Sequence, residues 1–210
     1  MISYAITIKD EILEIEKLLP LLLNSKNDED EIVIVQDQIN FDEDVFEYLY
    51  EFSNLGKISH HMFRFENDFS DMKNYLNSKC IKKWIFNIDA DEYPDEYLLK
   101  NIHEILGDLY NAEIDAIWVP RINIVNGLTQ KHIKKWGWQV NESGWVNWTN
   151  DAQCRIYKNV DTIKWVKPVH EQLHGYKTVS RLPNEREYSI WHIKDIERQE
   201  RQNEFYRKNY

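Results

Sequence analysis

A short apolar stretch that ends in three carboxylates constrains this chain more than any other feature. Residues 84–88, WIFNI, are mostly apolar, which is typical of a short buried strand. Asp89, Asp91 and Glu92 follow within four positions. Pro94 and the two acids after it favour a helix start, because proline suits the first helical position and acids suit the positive end. The stretch therefore predicts a buried strand with a cluster of acids between its end and a helix.

Asp89 and Asp91 have the spacing of a metal site. In an extended chain alternate side chains point the same way, so the two carboxylates should project together, with Ala90 leaving room for a ligand. Carboxylate oxygens are the ligands that Mg²⁺ and Mn²⁺ prefer, and such an ion can in turn hold phosphates. An acidic helix cap is the alternative, but it accounts poorly for acids at the mouth of a buried strand.

Length, charge and cysteine content narrow the class of protein. At 210 residues the chain fits one domain with a sizeable core. Its net charge of −10 disfavours nonspecific attraction to nucleic acid or an anionic membrane. Cys80 and Cys154 match no metal or disulfide pattern, which favours a reducing compartment. We find no signal-peptide pattern and no apolar run of transmembrane length, so we expect a cytoplasmic protein with no integral membrane segment, and leave peripheral association at the inner membrane surface open.

Strands and helices are expected to alternate along the first half of the chain. Strands are predicted at 2–8, 32–35 and 57–65, each followed by apolar residues at helical spacing. Asp10 is expected to cap the first helix, and Pro20 to kink or shorten it. This order predicts an α/β fold with a mostly parallel sheet flanked by helices and right-handed crossovers.

Polar side chains fall at or near the ends of the predicted strands, namely Thr7, Lys9, Asp37 and Asp89. The carboxyl ends of parallel strands share one edge of the sheet, where open α/β folds bind ligands. Asp37 suits a nucleobase or ribose, and Lys9 or Lys73 suits a diphosphate. Each alone is as readily explained by turn or surface chemistry. Their shared edge is what predicts a nucleotide site.

Tryptophan is concentrated in the second half, where seven of the eight lie at or beyond residue 118. A strand is expected at 115–121, and 153–158 and 163–166 are expected to form a small antiparallel addition. The segment 134–148 is too polar and irregular for a core element. Because aromatic faces stack on sugar rings, we predict that three of its residues contact an acceptor: Trp138, Trp145 and Trp148. Packing of these rings against the body of the protein is the alternative.

Residues 170–174 contain HExxH, the pattern of zinc metalloproteases. That chemistry needs a helix to bring both histidines to one face. Pro168 and Gly175 flank the motif closely, and the preceding residues look extended. The protease is therefore the least favoured function.

Taken together, these segments resemble family 2 glycosyltransferases of the GT-A fold. The resemblance is carried by ITIKDE and IVIVQD at the first two strand ends, by DFSDMKN, and by WIFNIDADE, and extends over about residues 2–193. VHEQL resembles the valine-histidine-glutamate element of bacterial lipopolysaccharide-type members, where donor and acceptor meet. The resemblance implies a nucleotide-sugar donor, with UDP-sugars favoured over GDP-sugars, a Mn²⁺ or Mg²⁺ ion, and usually inversion at the anomeric carbon.

The same resemblance suggests roles for residues of the first half. Thr7 and Asp37 are expected in the nucleoside pocket. Lys73, followed by asparagine, stands where the family more commonly has arginine-asparagine. Asp89 is expected to face the ribose and the metal, and Asp91 to ligate the metal directly.

In the second half, His192 resembles a C-terminal histidine that many GT-A enzymes use as a metal ligand. His170 is expected on the acceptor side. The general base is left between two carboxylates: Glu171, in the family-like element, is the first choice, and Asp151, which follows the tryptophan-rich loop, is the second.

These expectations divide the chain into a nucleotide-sugar-binding half at 1–110, an acceptor half at 111–193, and a charged C-terminal helix at 194–210 that is solvated or an interaction surface. The acceptor is left open among glycan, lipid-linked, protein and modified DNA acceptors, and the oligomeric state is not predicted. A nucleotidyltransferase is the main alternative, although it normally has a glycine-rich phosphate loop that ITIKDEI lacks. A catalytically inactive glycan- or partner-binding relative is a further one.

Overall fold

The computed structural model describes residues 1–39 and 41–209. Within these ranges helices and strands alternate through the first half of the chain, as predicted. The strands are β1 Ile2–Ile8, β2 Glu31–Asp37, β3 Ser59–Phe63, β4 Trp84–Asp89, β5 Glu92–Pro94, β6 Ala116–Val119, β7 Arg121–Asn126, β8 Gln153–Lys158, β9 Lys164–Val166, β10 Gln172–His174, β11 Val179–Arg181 and β12 Ile190–Asp195. The helices are α1 Ile12–Ser25, α2 Glu43–Asn54, α3 Phe69–Lys79, α4 Glu96–Asn111, α5 Gln130–Trp136 and α6 Ile196–Asn209.

The central sheet has seven strands in the order β11-β6-β8-β4-β1-β2-β3. Strands β4, β1, β2 and β3 run parallel to one another, and β8 runs antiparallel between β4 and β6. Two small sheets, β10-β9 and β5-β12-β7, contain antiparallel pairs. This confirms the predicted α/β fold, a mostly parallel sheet flanked by helices with small antiparallel additions.

The central strands are buried on both faces. In β1 every residue except Thr7 is buried, as expected for a parallel strand covered on both sides by helices. One apolar layer holds the buried face of α1, formed by Ile15, Leu18 and Leu22, together with that of α4. The other layer holds Met72 of α3. The sheet is thus a rigid platform whose polar edge can carry a site.

The predicted start of α1 is wrong. Its N-cap is Glu11, whose side chain makes no capping bond to the helix. The Glu11 carboxylate instead accepts the backbone N–H groups of Lys9 and Asp10, and so stabilises the turn out of β1. Pro20 lies inside a helix that continues to Ser25 and is not shortened.

The predicted start of α4 is also wrong. Pro94 belongs to β5, where it pairs with Ile190 of β12. The helix begins at Glu96, and Asp95 is its N-cap, accepting the backbone N–H of Tyr97. A short strand that pairs with a distant part of the chain therefore separates the acidic turn from the helix.

One expectation for the second half is corrected. Strand β8 was expected in a small antiparallel addition but lies inside the central sheet, while β9 does pair in a separate two-stranded sheet. The segment 134–148, predicted to be too polar and irregular for a core element, begins within α5, a helix with no buried residue. That helix is specified by a capping box formed by Thr129 and His132.

Of the helices in the described ranges, none combines the length and the apolar character needed to cross a membrane.

Candidate active site

The carboxyl ends of β4, β1 and β2 meet at one edge of the sheet. Thr7 is the register partner of Asp89 on the neighbouring strand, and Asp37 closes β2 beside them. Asp37 is buried and accepts the backbone N–H two residues further on. Lys9 is exposed, and its Nζ lies 3.7 Å from Asp10 Oδ2. The structure thus brings together at one edge the residues that the sequence assigned to a nucleotide.

The two aspartates after β4 hold different partners. Ala90 and Asp91 form a turn between β4 and β5, so the expectation of an extended chain through both aspartates is wrong. Asp89 contacts Lys73 of α3 and Arg155 of β8. Asp91 contacts His192 of β12 and Arg198 of α6.

Asp89 is one member of a chain of alternating charges that runs across the site. Its members, in order, are Glu171, Lys73, Asp89, Arg155, Glu92, Arg121 and Asp151. Both candidate bases therefore belong to this series of ion pairs, one at each end.

The Glu171 end is the more deeply buried of the two. Lys73 Nζ lies 2.6 Å from Glu171 Oε1 and 3.3 Å from Asp89 Oδ1, and it also sits over the ring of Trp165. Arg155 Nη2 lies 2.6 Å from Asp89 Oδ2. Each buried charge thus has an opposite charge beside it, which is the condition for burying charges at all.

The Asp151 end joins the acidic turn to the second half of the chain. Arg155 and Arg121 both contact Glu92, and Arg121 Nη2 lies 2.9 Å from Asp151 Oδ2. Gln153 also donates to Asp151, at 2.9 Å. The Asp151 carboxylate is therefore held in one orientation.

Three carboxylates in this series of ion pairs, Asp89, Glu171 and Asp151, have a pKa held below its usual value, so they are ionised at neutral pH. Burial alone would raise the pKa of Asp89, but Arg155 and Lys73 outweigh it and hold that pKa far below its usual value. Burial also acts on Glu171, where Lys73 lowers the pKa, and on Asp151, where Arg121 lowers it. A deprotonated Glu171 or Asp151 can accept a proton from a substrate hydroxyl.

Asn123 connects the Asp151 end to His192. Its Nδ2 donates to Asp151 and to the Val146 carbonyl, so its Oδ1 faces His192 Nδ1 at 2.8 Å. Because Oδ1 can only accept, His192 Nδ1 carries a proton in this contact. His192 Nε2 is then directed at Asp91 Oδ2, 3.2 Å away.

Asp91 and His192 fit a divalent cation. A carboxylate oxygen faces a ring nitrogen whose other nitrogen is fixed by Asn123, and such fixing is typical of metal-ligating histidines. Over residues 1–39 and 41–209 no three histidine, cysteine or acidic side chains gather as a metal cage. Mg²⁺-type ions often take one or two protein ligands and complete their shell with substrate phosphates and water. The pair suits an ion that arrives with a phosphate ligand.

Arg198 completes the surroundings of Asp91. It lies in the first turn of α6, and its guanidinium is 2.8 Å from both Glu11 and Glu14 and 3.4 Å from Asp91. Burial acts to raise the pKa of Asp91, but His192 and then Arg198 lower it to about 2. Residues 194–210 were predicted to form a charged helix that is solvated or an interaction surface; the helix begins at Ile196, and at Arg198 it contacts the body of the protein.

The tryptophans of the 134–148 segment divide into two groups. Trp145 and Trp148 line a cavity of about 200 Å³, with ring centroids 5.0 Å apart, and Trp145 also contacts Trp191. Trp138 instead packs against an apolar cluster that includes Ile196 of α6. The first pair borders a cavity, as an acceptor contact requires, while the Trp138 ring stabilises the attachment of the loop.

The HExxH segment has no helix. His170 is exposed in the loop between β9 and β10 with a φ of 51°, and His174 lies in β10. The helical arrangement that a zinc metalloprotease needs is absent from this fully described segment.

Sequence reasoning missed several residues that build the site: Arg121, Asn123, Arg155 and Arg198. The sequence held one signal for Arg155. This arginine occupies a buried position of β8, where the other buried residues are Ile156 and Tyr157. A charge in such a strand indicates a buried partner.

No protein-family model matches the chain, and no curated protein matches it significantly. Solved structures do match. Those of S. aureus TarS residues 1–349, alone and in complex with UDP, have a TM-score of 0.61 at 13% identity and cover 91% of this chain and 60% of theirs. The TarS complex with UDP-GlcNAc has a TM-score of 0.58 at 13% identity and covers 92% of this chain and 58% of its own. The chain thus spans about 60% of that TarS fragment. At this identity the likeness shows the fold alone, a glycosyltransferase fold of the GT-A type.

Proposed function

We propose that this chain is a metal-dependent glycosyltransferase that moves a sugar from a nucleotide-sugar donor to an acceptor hydroxyl. The observation that carries the proposal is the meeting of Thr7, Asp37 and Asp89 at one sheet edge, with Asp91 facing His192 beside them. The shared fold supports it, because TarS structures hold UDP and UDP-GlcNAc. Membership of family 2, an aspartate-x-aspartate role for Asp89 and Asp91, and inversion at the anomeric carbon belong to the same proposal.

The charge of the site supports a metal. Among the described residues, carboxylates outnumber cations in the ion pairs around the site. The cations are Lys73, Arg121, Arg155 and Arg198, and the carboxylates are Glu11, Glu14, Asp89, Asp91, Glu92, Asp151 and Glu171. Lys194 nearby does not restore the balance. A diphosphate would add further negative charge to a site that is already negative. Asp91 and His192 would hold a Mn²⁺ or Mg²⁺ ion, which supplies neutralisation of the leaving diphosphate when bound.

We propose Asp151 as the general base, although sequence reasoning ranked it second. It directly follows the 3-10 turn Trp148–Asn150, whose first residue lines the candidate acceptor cavity. Asn123 bonds both Asp151 and His192, which brings this carboxylate within two side chains of the donor site. An ionised carboxylate there can take the proton of the acceptor hydroxyl as that oxygen attacks the anomeric carbon.

The ion pair of Glu171 with Lys73 accounts for the lowered pKa of Glu171 without a role as the general base. Its carboxylate pairs with Lys73, a side chain that is only 3% exposed and also contacts Asp89. Glu171 therefore balances and orients Lys73, and through it Asp89. This makes Glu171 a positioning residue in the proposal.

The acceptor is proposed to carry a sugar or another ring that stacks on Trp145 and Trp148, because aromatic rings with a polar edge suit such partners. Glycan, lipid-linked and glycosylated protein acceptors, and modified DNA, can all present such a group. His170, exposed in the loop next to Glu171, is kept as a proposed acceptor contact.

A thermal-shift panel tests donor binding. Melting temperatures are measured with UDP, GDP and their sugar conjugates, each with and without Mn²⁺. We expect a UDP-based ligand to raise the melting temperature only when Mn²⁺ is present, because binding to the folded state stabilises it. Asp91→Asn should lose this response, and the exposed Asp108→Asn should keep it. A wild-type protein that responds to no nucleotide under any condition contradicts the proposal.

A further inference from the structure

The Arg198 guanidinium contacts three acidic side chains. Its Nη1 lies 2.8 Å from Glu14, and its Nη2 lies 2.8 Å from Glu11 and 3.4 Å from Asp91 Oδ2. That oxygen of Asp91 also faces His192 Nε2. A guanidinium thus stands beside the carboxylate oxygen that the proposed function assigns to a cation.

The first turn of α6, which carries Arg198, is fixed in place. Ile196 packs in an apolar cluster with Val125 and Val146. Gly127 approaches it so closely that an added Cβ would lie 3.0 Å from the Ile196 side chain. The backbone at Arg198 is therefore held, and any change of partner falls to the side chain.

A cavity beside Arg198 gives that side chain room to change partner. It has a volume of about 460 Å³ and is lined in part by Glu14, Tyr93, Trp191 and Lys194. The Arg198 side chain keeps 29% of its surface exposed. The guanidinium can therefore change partner without any movement of the helix.

Arg198 interacts with opposite sign with the two parts of a metal–nucleotide ligand, the cation and the diphosphate. A bare divalent cation on Asp91 would be repelled by the guanidinium beside it. A diphosphate would be attracted, since the planar fork of arginine suits phosphate oxygens and makes charge-assisted bonds to them. The same side chain thus opposes the cation alone and favours the cation with its nucleotide.

We propose that Arg198 is a diphosphate-binding residue that couples nucleotide binding to metal binding. Without nucleotide, Glu11, Glu14 and Asp91 neutralise it; with nucleotide, it moves to the phosphates and frees Asp91 for the ion. The inference rests on the proposed nucleotide-sugar function. Coupling of this kind is reciprocal, so UDP strengthens Mn²⁺ binding by the same factor as Mn²⁺ strengthens UDP binding.

The test measures both ligands on variants of one residue. Mn²⁺ affinity without nucleotide is measured by electron paramagnetic resonance, and UDP affinity at saturating Mn²⁺ by calorimetry. Arg198→Gln should bind Mn²⁺ alone severalfold more tightly, and bind UDP with Mn²⁺ roughly 10- to 100-fold more weakly. Arg198→Lys, which keeps the charge and loses the fork, should fall between Arg198→Gln and wild type. Arg201→Gln, an exposed change on the same helix, should leave both affinities at wild-type values.

The opposite signs distinguish ligand binding from a structural role, because a damaged fold would weaken both affinities. Mn²⁺ binding that is unchanged or weaker in Arg198→Gln, or UDP binding that is unchanged, overturns the inference. Wild-type protein that binds no UDP even at saturating Mn²⁺ is a separate result. It overturns the proposed function, and this inference falls with it.

Discussion

Arg155 is the residue on which the charge chain across the site depends most. It is 4% exposed, and its guanidinium contacts Asn87, Asp89 and Glu92. Removing one partner of a buried ion pair leaves an uncompensated charge, which is more costly than never burying the pair. The bonds of Arg155 therefore set the orientation of Asp89 at the end of β4 and of Glu92 at the start of β5.

We predict that Arg155→Met lowers the free energy of unfolding by about 3–5 kcal/mol, because Asp89 and Glu92 then lose their shared cation. Urea titration measures the effect. Arg155→Lys should recover part of it, and Arg64→Met, at an arginine that is 74% exposed, should change little. A fully stable Arg155→Met would show that the chain of ion pairs does not hold this edge together.

The two candidate bases should respond differently to loss of charge. Asp151→Asn keeps the size of the side chain and should lower kcat roughly 10²–10⁴-fold with a modest change in donor KM. Glu171→Gln should act mainly through Lys73 and Asp89, and so raise donor KM more than it lowers kcat. Steady-state kinetics with a UDP-sugar measures both. The reverse pattern would return the base to Glu171.

At the scale of elements, one tight turn fixes the short β9–β10 sheet that carries the Glu171 loop. Gly175 follows β10 with a φ of +89°, and an added Cβ would lie 1.7 Å from the Thr162 carbonyl oxygen. Only glycine fits both the backbone angle and the close approach.

We therefore predict that Gly175→Ala costs roughly 2–5 kcal/mol of unfolding free energy, because both strain and overlap must be relieved. The matched control is Gly107→Ala within α4, where an added Cβ meets nothing within 4 Å. That change should stabilise the protein by about 0.5–1 kcal/mol, since alanine is the better helix former. Denaturation of both variants by urea gives the comparison, and equal effects would contradict it.

Strand β3, at the edge of the central sheet, carries a pH-sensitive group. Burial, and then the charge of His61, lowers the pKa of His60 to about 4. Since its pKa is near 6.5 in the unfolded chain, the unfolded state binds the proton first as pH falls. Its contribution to stability is present above pH 6.5 and is lost as pH falls towards 4.

We accordingly predict that wild-type protein loses unfolding free energy between pH 7 and pH 5, and that His60→Leu loses less. Chemical denaturation at the two pH values measures the difference. The exposed His174→Leu serves as the control and should behave as wild type. An identical pH dependence in His60→Leu and wild type would rule out His60 as the group responsible.

The sequence predicted the elements that depend on local pattern. Strand β1 was predicted at 2–8 and is found at Ile2–Ile8, and a helix was predicted after the acidic cluster, where α4 lies. It did not predict the contacts that cross the chain. Arg155 and Asp89 are 66 residues apart, and β5 exists only because β12 pairs with it. Local residue patterns carry little information on such partners.

At the scale of the whole molecule, the candidate site depends on both halves of the chain. Strand β8, from the second half, lies between β4 and β6 in the central sheet, and it brings Arg155 to the acids of the first half. Helix α6 brings Arg198 to Asp91 in the same way. Neither the part before residue 110 nor the part after it contains the complete set of charges. The predicted division into a nucleotide-sugar-binding half and an acceptor half therefore stays a prediction.

The central claim is that this chain transfers a sugar from a nucleotide donor, and release of the free nucleotide tests it most directly. Purified protein is incubated with Mn²⁺ and a panel of UDP- and GDP-sugars, and the products are separated by ion-exchange chromatography. The account predicts that wild type and Asp108→Asn release UDP from at least one UDP-sugar, and that Asp91→Asn does not. Release of no nucleoside diphosphate from any donor, or release at the wild-type rate by Asp91→Asn, would contradict it.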